Sequence, residues 1–97
     1  MHKVSNSTLH MLTIQYTTKF IRMYKGLEPL LKEEIKQKIL LFKNTKNPES
    51  QKVHKLQGHF KNCFSFSINY KIRIVFEYET KTVVNLLYVG GHDSAYE

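Results

Sequence analysis

The spacing of apolar residues changes near the middle of the chain. In the first half they recur every three or four residues, which is the period of an amphipathic helix. One helix is expected to begin after a cap at Thr17 or Thr18. It ends near Gly26, and a second helix begins at Pro29, so the pattern predicts a helical hairpin. The buried stripe of the second helix is expected to consist of Leu31, Ile35, Ile39 and Phe42.

In the second half, apolar and polar residues alternate, which predicts strands. One strand is expected at residues 64–68 and another at residues 72–78. Residues 83–89 are apolar on nearly both faces, as in a strand that is covered on both sides. A short strand is also predicted at residues 12–16. The resulting order β-α-α-β-β-β, with four strands, places the protein in the α+β class.

Length and composition predict a single domain. The chain has 97 residues, of which 41% are hydrophobic, and it contains six Tyr and six Phe. This content is too apolar for a disordered chain, and the length is too short for a second catalytic domain. Residues 1–10 show no period and are expected to form a flexible extension, with residues 11–97 forming the domain.

The charge and the cysteine content of the chain limit which partners this domain can have. The chain has 15 Lys and Arg against 8 Asp and Glu, a net charge of +7, which favours a nucleic acid or another polyanion. A single cysteine, Cys63, excludes an intramolecular disulfide, and no metal site is predicted from the spacing of the histidines. The sequence has no long apolar run and no signal core, so we expect a cytoplasmic protein with no membrane partner.

Four residues could together cleave RNA without a metal or cofactor. A neutral imidazole can accept the proton of a 2′-hydroxyl, which then attacks the adjacent phosphate, while a protonated imidazole can donate to the departing 5′-oxygen. A guanidinium can neutralise charge that builds on the phosphate, and an aromatic ring can stack on a base or bind a phosphate. The candidates for these roles are His54, Arg73, His92 and Tyr96.

Each candidate also has a purely structural explanation. Histidines beside strands are often solvated, and a mid-strand arginine such as Arg73 often pairs with a carboxylate, here Glu77 on the same face. Tyr96 could simply pack on the sheet. Basic residues surround the proposed site in sequence and are candidates for contacts with an RNA backbone, namely Lys52, Lys55, Lys61 and Lys71.

Several motifs resemble the RelE/ParE superfamily of toxins from toxin–antitoxin systems. They are HKLQG at residues 54–58, FSFSI at 64–68, YKIRIVF at 70–76 and VGGHDSAY at 89–96. The closing Gly-His-Asp-x-x-Tyr pattern is most similar to the YafQ-type branch of messenger-RNA interferases. The resemblance extends over residues 12–96.

This resemblance implies a helical hairpin packed on a twisted, mostly antiparallel sheet. It also implies ribosome-dependent cleavage of messenger RNA in the A site, leaving a 2′,3′-cyclic phosphate, and a cognate antitoxin that wraps the toxin. By position, His92 matches the main acid/base histidine of the branch, and His54 matches a residue that contributes to catalysis. Arg73 matches an arginine that contacts the scissile phosphate, and Tyr96 matches an aromatic residue that positions the base or phosphate.

The chain departs from the YafQ-type pattern at two positions. Ser67 stands where that branch has a further histidine, and Lys71 stands where it has an acidic residue. Two alternatives therefore stay open beside the ribonuclease. One is a ParE-like toxin that inhibits DNA gyrase without nuclease chemistry. The other is a catalytically degenerate member that binds its antitoxin and, through it, operator DNA.

Overall fold

The computed structural model describes residues 12–44, 53–56 and 62–91. The predicted extension at residues 1–10 lies outside these ranges. Within them the chain forms two helices and five strands, in an order that confirms the predicted α+β class. The elements are β1 (Thr13–Tyr16), α1 (Thr18–Lys25), α2 (Pro29–Lys43), β2 (His54–Lys55), β3 (Phe64–Ser67), β4 (Ile72–Tyr78) and β5 (Val83–Gly91).

Helix α1 begins and ends at residues whose chemistry fits those positions. The cap is Thr17, one of the two predicted, and its Oγ1 accepts a hydrogen bond from the Phe20 backbone N–H at 3.1 Å. The same hydroxyl donates to the Leu86 carbonyl at 2.9 Å, so the cap also joins the helix to β5. At the other end, the Gly26 N–H bonds to the Met23 carbonyl at 3.2 Å, where the helix stops as predicted.

Helix α2 follows the predicted stripe. Pro29 occupies its first turn, where the missing N–H removes no helical hydrogen bond. Ile35, Ile39 and Phe42 are buried, whereas Leu31 is only half-buried. These side chains pack α2 against the sheet and make the helix amphipathic.

Within the described residues the strands form one sheet, in the order β1-β5-β4-β3-β2. Strand β1 runs parallel to β5, and the other neighbours are antiparallel. The prediction of four strands is wrong by one, because β2 was not expected. Its residues His54 and Lys55 pair with Ser65 and Phe64. A strand of two residues is too short to show an alternating pattern in sequence.

The main core lies between the helices and one face of the sheet. Its centre is a group of phenylalanines, in which the Phe42 ring lies 4.7 Å from the Phe66 ring and 4.9 Å from the Phe76 ring, centroid to centroid. Ile74 and Leu86 are fully buried in the same core. This packing fixes which side chains of β3, β4 and β5 face the helices.

The opposite face of the sheet holds a second, smaller cluster. We call it the distal face and define it by Ser65, Ser67, Arg73, Val75 and Tyr88. Val75 and Tyr88 pack there with Leu56. A β-bulge makes this possible, since Val75 lies opposite Tyr88 but its neighbour Phe76 lies opposite Leu86. The extra residue in β5 changes which of its side chains point toward the helices, and it turns Tyr88 away from them.

Candidate active site

Arg73 lies at one end of the distal face. Strand register places it between Ser67 on β3 and Gly90 on β5. The side chain is half-buried, and its Nε is buried completely. Its Nη1 donates a 3.2 Å hydrogen bond to Ser65 Oγ. This contact crosses from β4 to β3 and holds the guanidinium group against the distal face.

Glu77, the carboxylate considered as an alternative partner of Arg73, is bound at the other end of the strand. Its Oε2 accepts a 3.2 Å hydrogen bond from Asn85 Nδ2, and the same amide donates at 3.2 Å to Glu79 Oε1. Glu77 lies four residues along β4 from Arg73, a distance of about 13 Å in a strand. The distal face is therefore basic at the end that carries Arg73. It is acidic at the other end, where Asn85 binds Glu77 and Glu79.

His54 and Arg73, both predicted as site residues, lie on either side of the same serine. Strand register pairs His54 with Ser65, and the His54 side chain is exposed. Because paired residues of neighbouring strands point to the same face, His54 belongs to the face that carries Arg73. The structure thus brings together an imidazole, a hydroxyl and a guanidinium group.

The described lysines of the predicted RNA-binding set lie apart from one another. Lys55 is paired with Phe64, so its side chain leaves the sheet on the face opposite to that of His54. Lys71 is exposed in the turn between β3 and β4, where its Nζ lies 5.7 Å from the centre of the Tyr70 ring. Lys71 is thus two residues from Arg73 at one end of the distal face.

Four predicted site residues lie outside the described ranges, namely Lys52, Lys61, His92 and Tyr96. The described part of β5 ends at Gly91, which lies opposite Ile72. The preceding pair is Gly90 and Arg73, so β5 ends beside the arginine.

Sequence reasoning missed two residues of this region. Ser65 is buried and binds Arg73, but the motifs singled out only Ser67, the other serine of β3. Lys19 places its Nζ 4.7 Å from the centre of the Tyr88 ring, a cation–π contact between α1 and β5. Only the register of the sheet, and the bulge that turns Tyr88 outward, could have identified these two contacts.

Cys63 is a free, half-buried cysteine beside the distal face. It packs against the cluster of Leu56, Val75 and Tyr88. Burial raises the pKa of its thiol, and the nearby negative charge of Glu77 raises it further. A raised pKa leaves little of the nucleophilic thiolate at neutral pH.

Across residues 12–44, 53–56 and 62–91, no three His, Cys, Asp or Glu side chains lie close enough to hold a metal ion. In the same ranges, no helix is long and apolar enough to cross a membrane.

Solved structures share this architecture. The DinJ–YafQ toxin–antitoxin complex of E. coli is 19% identical with a TM-score of 0.70, over 90% of this chain and 99% of that one. The YoeB/ParE toxin from Agrobacterium tumefaciens is 17% identical with a TM-score of 0.67, over 84% and 99%. The YoeB–YefM complex from Staphylococcus aureus is 18% identical with a TM-score of 0.67, over 84% and 97%. At these identities the similarity is one of fold.

Comparison at the level of sequence families gives a more specific result. No curated protein sequence matches the chain. Residues 31–92, more than half of the sequence, match the RelE-like toxin of the type II toxin–antitoxin system HigB. This stretch contains most of α2, the described strands β2, β3, β4 and β5, and the contact between Arg73 and Ser65. The chain therefore belongs to the HigB-like family of RelE-like toxins from type II toxin–antitoxin systems.

Proposed function

We propose that this toxin is a ribosome-dependent endoribonuclease that cleaves messenger RNA in the A site. The observation that carries the proposal is the position of Arg73, whose guanidinium group is bound by Ser65 on the face that also carries His54. A fixed guanidinium group and an imidazole on one face suit phosphodiester cleavage, because charge and a proton must be handled at adjacent atoms of the phosphate.

The reaction uses the 2′-hydroxyl of the RNA as its nucleophile. A base removes the hydroxyl proton, the oxygen attacks the adjacent phosphorus, and the bond to the 5′-oxygen breaks as a protonated imidazole donates a proton to that oxygen. The products are a 2′,3′-cyclic phosphate and a 5′-hydroxyl, and no metal or cofactor is needed. Arg73 stabilises the negative charge that builds on the non-bridging phosphate oxygens.

Acid–base roles are assigned to the histidines. We assign the main acid–base role to His92 and a contributing role in catalysis to His54, since an imidazole can accept or donate a proton near neutral pH. Tyr96 is assigned to positioning the base or the phosphate. Support for the roles of His92 and Tyr96 comes from the sequence motif and from β5, which ends at Gly91 next to the pair Gly90 and Arg73.

The ribosome and the positive charge of the toxin complete the site. A net charge of +7 favours binding to RNA, and we assign backbone contacts to Lys52, Lys61 and Lys71. Lys55, which leaves the sheet on the face opposite to that of His54, is assigned a backbone contact away from the reacting phosphate. Positioning of the messenger RNA by the ribosome would supply part of the geometry, so few side chains are needed for chemistry. We therefore propose that the toxin acts in the cytoplasm, where ribosomes and messenger RNA are found.

A cognate antitoxin is the proposed regulatory partner. Two of the structures with this fold are complexes of a toxin with its antitoxin, DinJ–YafQ and YoeB–YefM. We propose that the antitoxin of this toxin neutralises it in a complex and connects that complex to operator DNA.

The test is induced expression in a bacterial host, followed by primer extension on a reporter messenger RNA. The proposal predicts growth arrest with new cleavage sites within the reading frame, 2′,3′-cyclic phosphate ends, and loss of both in His92→Ala and Arg73→Ala. Lys81→Ala, an exposed lysine in the turn before β5, is the matched control and is expected to behave as wild type. Arrest without cleavage would favour the gyrase inhibitor, and no arrest by folded toxin would favour the degenerate member.

A further inference from the structure

Lys19 reaches the distal face from helix α1. Strand β1 pairs with β5 only as far as Leu86, and α1, which follows β1, packs against β5. There the Lys19 ammonium lies 4.7 Å from the centre of the Tyr88 ring. Tyr88 lies opposite Val75, two residue pairs before the pair of Gly90 and Arg73.

The position of Lys19 within α1 is not explained by the helix itself. Helix α1 has no acidic residue in its first turn, and its other basic residues, Arg22 and Lys25, lie in its last turn. Positive charge is favourable at the C-terminal end of a helix and unfavourable at the N-terminal end. Arg22 and Lys25 thus stabilise the helix, whereas Lys19 is held where its charge opposes the helix dipole. Violations of a local rule of this kind are expected at functional sites.

Lys19 and Arg73 occupy one end of the distal face. Because Tyr88 and Arg73 are diagonal neighbours on adjacent strands, their Cα atoms are about 7–8 Å apart. The Lys19 ammonium on the Tyr88 ring and the Arg73 guanidinium group are therefore close enough for one short stretch of a polyanion to contact both. At the other end of the face, Asn85 binds Glu77 and Glu79, whose charges repel a polyanion.

We propose that Lys19 binds an RNA backbone phosphate next to the phosphate held by Arg73, and so is a second fixed phosphate-binding residue of the site. The inference rests on the proposed function, since it takes RNA as the substrate. The Tyr88 ring positions the ammonium group, while the acidic end of the face confines the RNA to the end that carries Lys19 and Arg73.

Binding of a 2′-O-methyl RNA 12-mer to the purified toxin tests this inference separately from cleavage. The 2′-O-methyl group blocks the nucleophile, so only binding is measured. Affinity is measured by fluorescence anisotropy over a series of salt concentrations for wild type, Lys19→Gln, Lys19→Arg and the matched control Lys25→Gln. Circular dichroism verifies that each variant is folded.

The proposal predicts that Lys19→Gln binds more weakly and that its plot of log affinity against log salt loses about 0.7 of slope, the value for one phosphate contact to a single strand. Lys19→Arg retains the wild-type slope, and so does Lys25→Gln. An unchanged slope in Lys19→Gln, an equal loss in Lys25→Gln, or no binding by wild type at low salt would each overturn the inference. None of these results decides whether the toxin cleaves RNA on the ribosome, which is measured by primer extension.

Discussion

Arg73 donates a hydrogen bond from Nη1 to the Oγ of Ser65 at 3.2 Å, across the boundary between β4 and β3. Ser65 is buried and lies opposite His54 in the sheet. A guanidinium group carries the same charge in any orientation, but it stabilises a phosphate only when its donors face the reacting oxygens. In this toxin the hydroxyl of Ser65 limits where those donors point.

Removal of that hydroxyl is expected to slow cleavage while Arg73 remains. Ser65→Ala loses a hydrogen bond to a charged group, and we expect cleavage on ribosomes to fall roughly tenfold. Because Ser65 positions Arg73 and does not itself touch RNA, the loss should lie in kcat with little change in KM. Ser67→Ala, on the same strand and face, is the control; an equal loss there would contradict a specific role for Ser65.

The Thr17 cap is expected to stabilise the joint between α1 and β5. Thr17→Val keeps the shape of the side chain but removes the bonds to the Phe20 N–H and the Leu86 carbonyl. We expect a loss of about 0.5–2 kcal/mol in the free energy of unfolding, measured by urea denaturation. Thr18→Val, at the neighbouring exposed position, should stay within about 0.5 kcal/mol of wild type. Equal losses in both variants would show that the cap contributes nothing specific.

The aromatic core is expected to tolerate truncation poorly. Phe42 is fully buried and stacks on Phe66 while contacting Phe76. Phe42→Ala should lower the free energy of unfolding by about 3–5 kcal/mol, because it removes both burial and ring contacts and leaves a cavity. Leu41→Ala, at the adjacent position that is 55% exposed, should cost far less in the same denaturation experiment. Comparable losses would mean that this core is loosely packed.

The reactivity of Cys63 should depend on Glu77. Burial and the Glu77 charge raise the pKa of the thiol, so its alkylation by iodoacetamide should begin at higher pH than that of an exposed cysteine. Glu77→Gln removes the repulsion between carboxylate and thiolate, which lowers the pKa and speeds alkylation at a fixed pH. Glu79→Gln is the matched control, since Glu79 also binds Asn85. Identical alkylation rates in the two variants would show that Glu77 does not act on the thiol.

Much of the fold could be predicted because its elements have clear periods. The α2 stripe and the alternation in β3 and β4 identified elements near their observed bounds. The missing element, β2, exists only through pairing with β3, which leaves no local signal in two residues. The bulge that places Tyr88 on the distal face likewise depends on the register between β4 and β5.

In the candidate site, too, some residues could be predicted from local sequence and others depend on contacts between distant elements. Arg73 could be singled out because a charged residue interrupts an apolar strand, and His54 because it belongs to a recognisable motif. Ser65 and Lys19 could not, because each is defined by a contact with a residue on another element. Sequence patterns identify residue types suited to a reaction, but the neighbours that orient those residues come from the tertiary structure.

The most direct test of the central claim is single-turnover cleavage of messenger RNA on programmed ribosomes by wild type and by Arg73→Gln. Thermal unfolding of both proteins verifies that the variant is folded. Loss of a preorganised charge donor typically costs about 100-fold or more in rate, and we expect Arg73→Gln to lose at least that much while still binding ribosomes. A folded Arg73→Gln variant that cleaves at the wild-type rate would contradict the assignment of the distal face as the active site.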